Sequence, residues 1–76
     1  MTRFFFDYTN KDRSLFDYSG EEFTSPHGAM EFAEAIVHDL KLSLFEDWSG
    51  WSVEVRNQEG EMLFSLPIVT QDLRAA

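Results

Sequence analysis

The chain has 76 residues, fourteen acidic against six basic, a formal net charge of −8, and no cysteine. A chain of this length makes one domain, and without cysteine it has neither disulfides nor thiolate chemistry, so packing by its eight Phe, two Trp and two Tyr must hold it together. The acidic excess opposes direct binding to nucleic acid, and no apolar run reaches membrane-spanning length, so the expectation is a cytoplasmic protein with no membrane contact.

The opening TRFFFDYT reads as a strand, with Phe4, Phe6 and Tyr8 on one face and Arg3, Phe5 and Asp7 on the other. Asp7 also interrupts the apolar run that a signal peptide would continue. Residues 10–13 form a polar turn, and Ser14 to Tyr18 reads as a short second strand whose register the sequence leaves open. Ser19 and Gly20 break that pattern, and Glu21 to Thr24 leads into a helix with Phe23 as its apolar anchor.

The helix starts at a marked place. Ser25 is positioned to cap free backbone N–H groups and Pro26 suits the first helical position, while Gly28 stands where a capping-box Glu would sit. At about 100° per residue, Ala29, Met30, Phe32, Ala33, Ile36, Val37, Leu40 and Leu44 share an arc of roughly 160°. Leu42 and Phe45 fall off that stripe, so either the helix stops near Lys41 or those two side chains are covered by something else. A reversal at Ser49 and Gly50 folds Trp48 and Trp51 back toward Phe45.

Trp51 to Arg56 alternates, with Trp51, Val53 and Val55 on one side. Asn57 to Gly60 makes a hairpin connection, and the return strand places Met62, Phe64 and Leu66 inward, with Leu63, Ser65 and Pro67 outward. Pro67 ends that strand, puts it at an edge, or marks a bulge. The expected fold is α+β, in the order ββαββ: a small antiparallel four-stranded sheet with one helix packed on one face. The domain is expected over residues 1–70, with 71–76 a polar, disordered C-terminal tail.

The opening RFFFD, the step Asp17-x-x-Gly20 and the hairpin VEVRNQEGEMLFSLP together resemble a family of short bacterial proteins, many alphaproteobacterial, defined only as a domain of unknown function. In that family a start like RYFFD, an Asp-x-x-Gly step, an Ala-rich helix and a segment like VEVRDEDGRxLxxVP follow in this order. The resemblance covers nearly the whole chain. It implies a ββαββ-like domain in a bacterial cytoplasm and no particular activity. Asn57, where the family usually has Asp, and the aromatic stretch from Phe45 to Trp51 depart from the pattern.

Candidate chemistry is sparse. His27, Glu31, Glu34 and His38 share a helix face, but eleven residues at about 1.5 Å rise separate the two imidazoles by roughly 16 Å, too far for one ion. Only Glu34 and His38 are close enough to share a metal. Asp7, Asp12 and Asp17 lack the alternate spacing and central Gly of a Ca²⁺ loop, and turn chemistry accounts for Asp12 and Asp17. With no nucleophile elbow, P-loop or dinucleotide fingerprint, the chain reads as non-enzymatic, with no cofactor and no metal. The expected role is protein–protein interaction, by self-association into a homodimer or with another protein. The candidate surface is Phe5, Leu42, Phe45, Trp48 and Leu63, on the uncovered sheet face or beside the helix end, although for Phe45, Trp48 and Trp51 closing the open end of the core is the favoured reading. The alternative is an acidic regulator or decoy that binds a basic partner by electrostatic mimicry.

Overall fold

The computed structural model describes residues 1–44 and 46–69. Its elements run β1 (Thr2–Thr9), β2 (Ser14–Leu15), β3 (Glu21–Phe23), α1 (Pro26–Lys41), β4 (Ser52–Arg56) and β5 (Met62–Pro67). The architecture is α+β, one helix packed on a face of an antiparallel sheet, as the hydrophobic patterning predicts. The expected tail at 71–76 lies outside the described residues.

The aromatic alternation of β1 makes it the centre of the sheet. It pairs with β4 along one edge and with β2 and β3 along the other, and β5 pairs with β4. The sheet therefore has five strands where four are expected. The second strand, read as Ser14 to Tyr18, stops at Leu15, and the supposed lead-in to the helix pairs as β3. One physical reason covers both differences. Leu15 lies opposite Tyr8 and Glu21 opposite Phe4, so the five residues 16–20 stand against only the three residues 5–7. Two surplus residues cannot remain in a ladder, and the edge strand bulges out and resumes.

Gly20 closes this bulge. It holds φ +72°, and a Cβ there would sit 2.8 Å from the Phe4 carbonyl oxygen and 2.9 Å from Arg3 Cγ. Only glycine fits both the backbone angle and the space.

Ser25 caps α1 as its sequence position predicts, its hydroxyl accepting from the Gly28 N–H. Gly28 has a packing role in place of a capping one: a Cβ there would lie 3.4 Å from the Phe23 ring, so its absence lets Phe23 seat against the first turn. Ala29, Ala33 and Val37 are the buried helix residues, packed with Phe4, Phe6, Val53, Val55 and Ile68. Phe23 and Phe32 extend this core as an aromatic cluster, with ring centroids 5.9 Å and 5.0 Å from Phe6. The helix ends at Lys41, and Leu44, assigned to the stripe, lies beyond that end and is exposed.

Asn57 organises the β4–β5 hairpin: its side-chain oxygen accepts from the N–H groups of Glu59 and Glu61, and its amide donates to Glu61 Oε1 at 3.1 Å. The return strand corrects another expectation. Val55 faces Phe64 but Arg56 faces Met62, so the register skips Leu63. Past that bulge Met62, expected inward, is 59% exposed, while Phe64 and Leu66 pack on the core.

The three glycines at positive φ separate backbone strain from crowding, because nothing lies within 4 Å of a Cβ built at Gly60. Gly60→Ala is expected to cost about 1 kcal/mol, the left-handed penalty alone, whereas Gly20→Ala adds overlap with the β1 backbone and should cost at least about 3 kcal/mol. Urea unfolding of the two variants followed by circular dichroism checks the difference.

Candidate functional site

The far face of the sheet, expected to lie open, carries a polar lock. Asp7 is only 4% exposed. Its Oδ2 accepts from Arg56 Nε at 2.8 Å, and its Oδ1 accepts from the Asp17 N–H at 2.9 Å. Arg56 continues across β1 to donate to the Asp17 carbonyl oxygen at 2.9 Å, with its guanidinium carbon 4.6 Å from the centre of the Phe5 ring. Asp17 in turn accepts from three backbone N–H groups: Phe6 through Oδ2, and Ser19 and Gly20 through Oδ1. The Phe6 N–H, which the bulge deprives of a ladder partner, is thus met by a carboxylate. Arg3 completes the set by donating to the Ser19 carbonyl oxygen and pairing with Glu22 at 2.7 Å.

Burial alone would raise the Asp17 carboxyl, but the N–H bonds from Gly20, Phe6 and Ser19 and the charge of Arg56 outweigh it and hold the group below its ordinary value. Every polar residue of this face that the described structure ties down is engaged in holding strand to strand.

A cleft of about 540 Å³ opens on the other side of the same bulge, between it and α1. Phe6 and Tyr8 line it from β1, Phe32 and Ile36 from the helix, and Leu15, Phe16, Asp17 and Glu21 from the interrupted edge. Phe16 is 56% exposed, and Leu15 and Phe32 are 40% exposed each. Burial, and secondarily the Asp17 charge, raises the Tyr8 hydroxyl's pKa, so it stays protonated as a donor.

The described residues of the two expected surfaces lie in different parts of the fold. Phe5 is half-buried beneath Arg56, Leu63 sits at the β5 bulge, and Leu42 caps the helix end in an exposed position. Trp48 packs against the core with its ring 6.0 Å from Tyr8 and 5.4 Å from Trp51. That makes it part of the core's closure, and the turn at 48–51 that places it is closed by the Trp51 N–H on the Trp48 carbonyl oxygen. Phe45 lies outside the described residues. His27 pairs loosely with Glu31 at 3.6 Å, and both are exposed, as are Glu34 and His38. Among the described residues no group of three or more His, Asp or Glu is placed to hold a metal ion, and no helix is long and apolar enough to cross a membrane. The sequence reading missed the cleft. Its signal was Phe16, a large apolar residue next to Leu15 in a segment with no room for both on one side of a regular strand.

A family model described as a domain of unknown function (DUF6894) matches residues 3–70. The chain belongs to this family. The resemblance read from the sequence is therefore confirmed, and the motifs that carried it acquire physical meaning: the Asp of RFFFD is Asp7, the Asp-x-x-Gly step is Asp17 to Gly20, and the last residue of VEVR is Arg56. In this DUF6894 domain those residues form the lock. No curated protein and no solved structure matches the chain.

Removing Arg56 leaves Asp7 buried without its counter-charge, so Arg56→Met should lose about 3 kcal/mol by urea unfolding, a large share of the roughly 4 to 11 kcal/mol such a domain commands. Asp17 has a pKa lowered on folding from 3.8. Its contribution is complete well above that value and is lost as pH falls through the lower folded value. Asp17→Asn should destabilise by about 1 to 2 kcal/mol at pH 7 and flatten the acid limb of the stability curve below about pH 4, as thermal melts across pH will show.

Proposed function

We propose that the protein is a non-enzymatic protein–protein interaction module that homodimerises through the outer edge of β5. The observation supporting this reading is the edge itself. β5 pairs on one side only, and its run MLFSLP contains no charged residue. Edge strands are commonly protected by charged side chains, and here the Leu63 bulge and Pro67 are the devices present. A two-fold pairing of Met62 to Leu66 with the same segment of a second copy gives the unpaired backbone groups partners and covers Met62 and Leu63. The engagement of Asp7, Asp17 and Arg56 in structural bonds supports a role without catalysis.

A second reading, an acidic regulator or decoy acting on a basic partner, is favoured by the exposed carboxylates Glu21, Glu22, Glu31, Glu34 and Asp39 on and before α1. Salt separates the two. Self-association of a chain with net charge −8 is opposed by repulsion that salt screens, so the dimer tightens with salt, whereas charge-driven binding weakens.

Light scattering from low micromolar to millimolar protein should show the mass rise from 8.9 kDa to twice that value, at lower concentration in high salt than in low. Leu63→Lys should keep the protein monomeric. A wild-type mass that stays at one chain throughout rejects the dimer.

A further inference from the structure

We infer that the cleft between α1 and the interrupted edge strand is a docking site for a short segment of a partner protein, one that presents two or three large apolar side chains flanked by Lys or Arg. This goes beyond self-association and does not depend on it, because β2 and β3 lie at the opposite edge of the sheet from β5.

The cleft's size and walls define the apolar part of the occupant. A volume of about 540 Å³ is in the range of ligand-binding clefts, and the cleft is open along its length, as a groove for a chain segment must be. Phe32 and Ile36 are four residues apart, about 6 Å along the axis, which matches neighbouring large side chains on a docked segment. Exposing Leu15, Phe16 and Phe32 together leaves an apolar surface that a partner would bury, and aromatics in such a place act as anchors.

The rim defines the charge. Asp17 and Glu21 line the cleft and no Lys or Arg does. Asp17 is held by three N–H bonds, but Glu21 is exposed and makes no ion pair among the described residues. An incoming cation therefore meets carboxylates along the edge-strand wall of an apolar trough, and an acidic segment is repelled.

The mode of binding follows from the lock. The Phe6 N–H already donates to Asp17, and the Ser19 carbonyl oxygen already accepts from Arg3, so this stretch of edge does not offer its backbone to an added strand. Recognition runs through side chains, with the Tyr8 hydroxyl available to a carbonyl of the occupant.

Selection of a displayed random peptide library, about twelve residues in length, on the immobilised wild-type protein tests this. Enriched peptides should carry aromatic or aliphatic residues beside Lys or Arg, and a synthetic copy should shift the backbone amide signals of Leu15, Phe16 and Phe32. Phe16→Ser and Glu21→Lys alter exposed side chains, so both variants should fold, with the circular dichroism of the parent, yet each should weaken that peptide by at least about ten-fold. The inference is overturned by a library that yields no enrichment, by enriched peptides without basic residues, or by binding that both variants keep. It is equally overturned if a version with Ser in place of every apolar residue binds as tightly, since charge alone would then suffice.

Discussion

A buried carboxylate controls the far half of this fold. Asp7 sits in the central strand on the side away from the helix, where its charge needs a counter-charge and hydrogen-bond donors. Arg56 supplies the first from β4, and the Asp17 backbone supplies a donor from the edge. Arginine suits this post because its planar fork serves two acceptors on different segments, Asp7 and the Asp17 carbonyl oxygen, while its face covers Phe5. A lysine would bring the charge without that reach in two directions. Through one side chain, β4, β1 and the interrupted edge are bound across the sheet.

The same lock explains why an irregular edge is tolerated. Five residues against three would leave donors of β1 unmet, and Asp17 takes the place of the missing strand by accepting from Phe6 while it caps the Ser19–Gly20 turn. Gly20 then brings the chain back close enough for β3 to pair. The bulge faces two ways: its polar interior closes the far face, and its apolar outer residues, Leu15 and Phe16, make a wall of the cleft.

Much of the fold was legible because it rests on local rules. The Ser25–Pro26 start, the buried positions Ala29, Ala33 and Val37, and the alternation of Val53 and Val55 follow from capping chemistry and periodicity. The misses share a cause: they depend on pairing register, which only a partner strand decides. Nothing near Tyr18 reveals that the ladder resumes at Glu21, and nothing in MLFSLP reveals that Leu63 is skipped and Met62 turned outward. The far face was legible only in part for a related reason. Arg56 and Asp7 are 49 positions apart, so their contact appears only once β1 and β4 are aligned. The cleft was illegible because it is bounded by the irregular segment itself.

One consequence of the Asp7–Arg56–Asp17 arrangement concerns how proteins of this kind are sorted. The motif residues Asp7, Asp17, Gly20 and Arg56 are those that brace its architecture, while Phe16 and Glu21 at the cleft take no part in the brace. A chain that carries the same four residues in the same order is therefore expected to share this braced scaffold, independent of the residues on its outer surfaces.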